Sequence, residues 1–270
     1  MRIYRKSPLY PRFGATFAKL LFLVTRSRSE KLVEREINGI RFELDLSQVI
    51  DASMYYSGTF EALAERTIAA SLTQGMTAID IGANVGYHTL PMARSVGSNG
   101  RVIAIEPTSW AYAKLVRNAS LNNFANIEFV QLGLSDREDG EVEIAFQSSY
   151  RLDGQNATHQ EKVLITTLDA AVQRLGVSDV HFIKLDVDGY EGKVLRGAQE
   201  LLRRHHPVVF FEISPSAMAA NGDSAQDLIR MFEELGYVFR SEAGAPIKDP
   251  VLHCSNIADG YSENLVAILA

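Results

Sequence analysis

The chain has 270 residues, 46% hydrophobic and 22% charged, with 19 glycines, 8 prolines, a net charge of −6 and a mean hydropathy of −0.04. That composition belongs to an ordinary globular enzyme-sized protein with one large α/β core and an added segment, and it excludes the collagenous and disordered classes. The single cysteine, Cys254, cannot close an internal disulfide, so folding needs no oxidising compartment and a reducing cytoplasm suits the chain.

The first 35 residues carry nine basic side chains against Glu30 and Glu34, which leaves them at +7 and the rest of the chain at −13. Phe13, Phe17, Leu20, Leu21 and Val24 fall at helical spacing among those charges. Residues 1–31 therefore read as a basic amphipathic arm, either packed on the domain or docked on an anionic membrane surface or an acidic partner. Its longest apolar run, Leu20 to Val24, falls far short of the roughly 20 residues that span a bilayer, and no clear cleavage site follows it. The expected location is the cytoplasm, peripheral to a membrane if the arm docks there.

Residues 32–74 read as a hairpin and a helix. Leu32 to Ile37 and Ile40 to Leu46 flank Asn38-Gly39, a pair that takes the positive φ values of a two-residue turn. Helix formers then dominate from Phe60 to Leu72. Over residues 75–270 short apolar runs at Thr77–Ile81, Arg101–Glu106, Ile127–Leu132, Val180–Val187, Val208–Ile213 and Asn264–Leu269 alternate with helical periodicity. Helices are expected within Val85–Val96, around Tyr112–Ala119, along Val194–Leu202, and along Leu228–Leu235 behind a Ser224/Asp227 capping box. Continuous rather than alternating apolar strands argue for a mostly parallel sheet covered on both faces. Gln147 to Gln160 is too polar and irregular to assign and suits a loop over a pocket.

The strongest chemical signal is Asp80-Ile-Gly-Ala-Asn-Val-Gly86, placed where the first core strand turns towards a helix. Small residues there let the backbone approach a ligand, and free helix N–H groups face it. Glu106, at the end of the next strand, is placed to accept hydrogen bonds from two ribose hydroxyls. A dinucleotide site would want G-x-G-x-x-G, but Asn84 holds the middle position. Asp80 would repel phosphates yet can orient an amino group, so S-adenosylmethionine fits better than NAD.

At this point the chain resembles the FkbM-type S-adenosylmethionine-dependent methyltransferases, through the Asp80–Gly86 turn and Ala104-Ile-Glu-Pro107, Leu134-Ser-Asp136 and Thr167-Leu-Asp169. Ile183-Lys-Leu-Asp-Val-Asp-Gly189 with Glu191 and Val194–Gly197, and Phe211-Glu-Ile-Ser-Pro215, complete the set, which runs from about Tyr55 to Ala270. The resemblance implies a Rossmann-like class I methyltransferase fold, a mostly parallel seven-stranded sheet with its last strand antiparallel. It implies methyl transfer to a hydroxyl of a small acceptor: a saccharide, a glycolipid or a natural product. Carried onto this chain, Asp80, Gly82, Ala83, Asn84 and Gly86 surround the methionine end, Glu106 holds the ribose, and Ser135 and Asp136 lie near the adenine.

A neutral alcohol needs a base or a metal to become a nucleophile, and Asp186, Glu212 and His88 are the candidates. Asp186 and Glu212 end neighbouring strands, so they can converge on one hydroxyl or on one Mg²⁺, with the base role preferred. Lys184 is placed to pair with either of them. Asp188 stands where the family commonly has Glu, which shortens its reach. Tyr56 and Glu61, in Tyr55-Tyr-Ser-Gly-Thr-Phe-Glu61, belong either to a lid on the cofactor or to a turn that caps the following helix. Pro91 requires that the first core helix start late or kink. Two competitors remain: an NAD-dependent oxidoreductase, and a cofactor-binding module without turnover. Nucleic acid is disfavoured as a partner, because the domain proper is acidic and no Asn-Pro-Pro-Tyr motif follows Asp186. The oligomeric state has no signature.

Overall fold

A computed structural model describes residues 5–6 as backbone together with 31–147 and 158–270. Strands β2 (Leu32–Ile37) and β3 (Ile40–Asp45) pair antiparallel around Asn38 and Gly39, whose φ values of 50° and 76° are those the turn demands. Ile40, Phe42, Leu44 and Leu46 bury against Met54, Tyr87 and Leu90, which joins the hairpin to the core. Helix α1 (Val49–Ser57) follows and ends on Gly58 at φ 75°. The sequence reading missed it, because its buried face includes Asp51 and Ser53 as well as apolar residues. Helix α2 (Ala62–Ser71) lies inside the expected span.

The main sheet contains β4 (Thr77–Ile81), β5 (Arg101–Ile105), β6 (Ile127–Val130), β10 (Phe182–Leu185), β11 (Val208–Ile213), β12 (Tyr237–Ser241), β13 (Pro246–Ile247) and β14 (Tyr261–Leu269). Their order is β13-β12-β14-β11-β10-β4-β5-β6, with β1 (Arg5–Lys6) beside β14. Strands β4, β5, β6, β10 and β11 pair in parallel, and β14 runs antiparallel to both β11 and β12. The seven strands expected from the resemblance are present, extended by the two-residue β13 and β1. Strand β12 escaped the sequence reading because it alternates buried and exposed residues at the sheet margin.

Helices α3 (Thr89–Val96), α4 (Ser109–Ser120), α5 (Leu168–Arg174), α6 (Glu191–Arg196), α7 (Gln199–His205), α8 (Pro215–Ala220), α9 (Ala225–Glu234) and α10 (Pro250–Ser255) complete the domain. Neighbouring strand residues point to opposite faces: Ile79, Ile103 and Ile183 lie in one buried cluster, while Ala78, Val102 and Phe182 lie in another. Helix α3 starts late, which leaves Pro91 within its first turn, where a missing N–H costs nothing. The single helix expected along Val194–Leu202 is two, α6 and α7, divided at Gly197. There a Cβ would stand 2.1 Å from the Ser135 carbonyl oxygen, so the helix surface must open for the chain beneath it. Ser224 caps α9 by accepting from the Asp227 N–H.

A three-stranded sheet of β7 (Gly133–Leu134), β9 (Thr158–Thr166) and β8 (Gly140–Gln147) was not foreseen, since charged residues interrupt both long strands. It takes up both ends of the unassigned Gln147–Gln160 stretch, whose middle lies outside the described residues. The amphipathic helix expected in the basic arm also lies outside them. No helix among the described residues is long and apolar enough to cross a membrane.

Candidate active site

From β4 the chain builds outward to β5 and β6, then returns to lay β10 on the other side of β4. The order therefore reverses between β4 and β10, and ligands of open α/β sheets bind outside the carboxyl ends of strands at such a point. Those ends carry Asp80 and the glycine turn, Glu106 after β5, Lys184 on β10 with Asp186 just after it, and Glu212 on β11.

The turn is held by backbone. Gly82 has φ 74°, and a Cβ on it would stand 2.0 Å from the Asp186 carbonyl oxygen, so no other residue fits there. The Gly82 and Ala83 N–H groups donate to the Ile105 carbonyl at 3.0 and 3.1 Å. Asn84, at φ 48°, donates its N–H to Glu106 Oε2 at 2.9 Å. Gly86, at φ 90°, faces the Leu115 side chain, which a Cβ would meet at 2.8 Å. Glu106 is 6% exposed, and its Oε1 accepts from the Thr108 N–H at 2.9 Å and hydroxyl at 2.6 Å. Burial raises its pKa, and these donors oppose that rise. Three donors fix the carboxylate, and its remaining lone pairs can accept from a ligand.

Asp80 is fully buried. Thr89 Oγ1 donates to its Oδ2 at 2.6 Å, and Lys184 Nζ stands 3.3 Å from its Oδ1. Lys184 also donates to the Gly82 carbonyl at 3.0 Å and lies 3.9 Å from Asp186 Oδ2. The expected pairing with Asp186 is thus the longer of two contacts. The shorter one goes to Asp80, because Lys184 and Asp80 are register partners across β10 and β4. Glu212 is buried and accepts from Ser262 Oγ at 2.8 Å.

Asp186 and Glu212 do converge, and Asp188 joins them: one carboxylate oxygen from each lies within 4.8 Å of the others. Asp188 is exposed, with φ 52°, and the turn continues through Gly189, where a Cβ would come within 2.6 Å of the Ala217 backbone. Glu191, given no role by the sequence, braces this turn. It is 0% exposed, and its Oε1 accepts from the Val187 and Gly189 N–H groups at 3.0 and 3.2 Å. The available signal was an acid at the start of a helix just after a glycine turn.

Burial raises the Glu191 carboxyl from 4.5 to about 7, with Asp186 adding to the rise. The folded chain therefore binds this proton more tightly than the unfolded chain does. The resulting stability is full below about pH 4.5 and is lost as pH rises through 7, a change of about 3 kcal/mol. Urea unfolding at pH 5 and pH 8 should show Glu191→Gln losing less stability over that interval than the parent. Parallel losses would contradict the buried, protonated acid.

His88 Nε2 lies 3.2 Å from Glu61 Oε2 and packs edge-on to Tyr87. Tyr87, missed by sequence reading, is the fastening point. Its hydroxyl accepts from the Phe60 and Glu61 N–H groups at 2.6 and 2.9 Å, and it bonds Thr59 and Glu65. The Tyr55–Glu61 segment is thereby tied to the turn after Gly86. The Tyr56 hydroxyl is buried and has no hydrogen-bond partner among the described residues.

Ser135 and Asp136 are each held by protein contacts. The Ser135 N–H donates to the Thr166 carbonyl, and Asp136 lies 3.4 Å from Arg196, which grips Asp223 through two bonds of 3.0 and 2.9 Å.

The family model described as the methyltransferase FkbM domain matches residues 80–239, more than half of the chain. Among solved structures, TYW2 of M. jannaschii in complex with AdoMet is 17% identical, covering 89% of this chain and 85% of that one at a TM-score of 0.48. A SAM-dependent methyltransferase from Aquifex aeolicus is 14% identical over 77% of this chain and 89% of that one, at 0.44. Methyltransferase FkbM from Methylobacillus flagellatus KT is 15% identical over 77% of this chain and 58% of that one, at 0.45. No curated protein sequence matches this chain.

Proposed function

The chain belongs to the FkbM family of S-adenosylmethionine-dependent methyltransferases, and from that premise we propose that it methylates a hydroxyl oxygen of a small polyhydroxylated acceptor: a saccharide, a glycolipid or a related natural product. The observation that carries the reading is the crevice at the strand-order reversal, where position 82 admits no side chain and Glu106 is fixed beside the turn by three protein donors. A backbone turn with Asn84 in place of the second glycine of G-x-G-x-x-G and one carboxylate a strand away suits a nucleoside with an amino-acid tail better than a dinucleotide pyrophosphate.

S-adenosylmethionine supplies an electrophilic methyl carbon, and its sulfur takes the bonding pair when that carbon is captured. The residues of the chain handle the acceptor. Asp186 accepts the hydroxyl proton as the oxygen attacks, and Glu212, held by Ser262, orients the same hydroxyl. Asp188 bonds a neighbouring hydroxyl from the rim. His88, after the Gly86 turn, is paired with Glu61 of the Tyr55–Glu61 segment, which supports a structural rather than a basic role for it.

One observation favours a second reading of the acceptor end. Three carboxylates with oxygens within 4.8 Å form a hard-donor set of the kind Mg²⁺ takes, so Asp186, Asp188 and Glu212 would hold such an ion. An ion there would polarise the acceptor hydroxyl. The arm at 1–31 retains its proposed contact with an anionic membrane or acidic partner, supported by its charge of +7 over the first 35 residues.

Calorimetric titration with S-adenosylhomocysteine and with NAD, each with and without Mg²⁺, tests the reading. Binding of the first alone is expected; binding of NAD alone, or of neither, overturns it. Across a panel of hydroxylated acceptors, Asp186→Asn should abolish methyl transfer while leaving the affinity for S-adenosylhomocysteine within a few-fold. A matching loss of cofactor affinity would show that Asp186 serves the cofactor and not the acceptor.

A further inference from the structure

Lysine is an expensive residue to place in the middle of a parallel sheet. Lys184 is 3% exposed on a strand whose other residues, Phe182, Ile183 and Leu185, are wholly buried. An unpaired ammonium there would cost several kcal/mol. Asp80, its register partner on β4, neutralises it from 3.3 Å, and Thr89 fixes that aspartate from the other side. A buried pair of this kind is seldom retained for stability, since two apolar side chains of similar size often do as well or better. Its use lies in where it puts the ammonium. Nζ donates to the carbonyl of Gly82, the first residue of the turn and a position where no side chain can be accommodated. Two residues later, the same turn aims the Asn84 N–H at Glu106.

We infer that Lys184 is a positioning residue for the methyl donor. With Asp80 it sets the orientation of the Gly82 peptide, and so the shape of the turn that receives the methionine end. Asp80, wholly buried, acts from beneath the turn in the same pair. The inference rests on the methyltransferase reading and assigns the cofactor turn a support from the strand that leads into Asp186, 3.9 Å from the same ammonium.

The test is calorimetric titration of the full chain with S-adenosylhomocysteine, accompanied by thermal unfolding without ligand. Lys184→Met should weaken binding at least about tenfold. Because that variant leaves Asp80 buried and unpaired, the double variant Asp80→Asn/Lys184→Met is measured beside it. The double variant no longer strands Asp80, so its unfolding midpoint should recover most of the way to the parent while its affinity stays at least about tenfold weaker. A merely structural pair would recover both together. Binding by the double variant within about twofold of the parent overturns the inference and leaves the methyltransferase reading intact. Failure of the unmutated chain to bind S-adenosylhomocysteine overturns both.

Discussion

Glu106→Ala should bind S-adenosylhomocysteine about 100-fold more weakly than the parent, the largest loss of affinity expected from a single side chain here. Hydrogen bonds to a charged group are worth about 1.5–3 kcal/mol each, and a ribose offers two hydroxyls to this carboxylate, so a loss near 3 kcal/mol is a conservative sum. The substitution also releases the Asn84 and Thr108 N–H groups that Glu106 now accepts. Part of the loss will therefore be a turn less well held. Glu106→Gln separates the two effects, because an amide oxygen still accepts from one of those N–H groups while the charge is gone. It should fall between the parent and the alanine variant. Equal affinity of all three proteins for S-adenosylhomocysteine would remove Glu106 from the cofactor site, and with it the ribose assignment that the sequence suggested.

The parts of this site that were legible in the sequence obey local rules. Asn38-Gly39 had to be a tight turn, Pro91 had to sit at a helix start, and a strand followed by Gly82-Ala-Asn-Val-Gly86 had to turn sharply. Each follows from steric limits on a few adjacent residues. What was not legible depends on register between segments far apart in the chain. Nothing near Lys184 says that its closest carboxylate is Asp80, about a hundred positions away, because that is decided by how β10 aligns on β4. The Tyr87 hydroxyl looked like one aromatic among many until the chain from Thr59 to Glu65 closed on it. Glu191 likewise acquired meaning only when the Asp186–Gly189 turn folded back over it. The division between α6 and α7 arose from Ser135 pressing on Gly197, a contact invisible in helical periodicity. Sequence thus placed the candidate residues at strand ends, and tertiary register decided which side chains hold them.

The same distinction governs the attachment of the N-terminal hairpin. Asp51 on α1 is buried and pairs with Lys114 on α4, and its Oδ2 also accepts from the Asp45 N–H at 2.6 Å. Burial pushes the Asp51 carboxyl up in pKa, and the Lys114 ammonium acts against that shift. Lys114→Met keeps the apolar stem but leaves a buried carboxylate without its cation, which costs about 3–5 kcal/mol. For a chain of this size the unfolding midpoint should fall by roughly 10 °C. Asp51→Asn/Lys114→Met should regain most of that loss, because an amide at position 51 can still accept from Asp45 and carries no charge to desolvate. A midpoint for Lys114→Met within about 2 °C of the parent would mean that the pair holds nothing, since that shift corresponds to only about 1 kcal/mol. A large loss with recovery in the double variant would place the strain in the stranded charge. The buried Asp51–Lys114 pair would then anchor α1 to α4, beside the exposed contacts of Arg117 with Glu34 and Glu43 that tie the hairpin to the same helix.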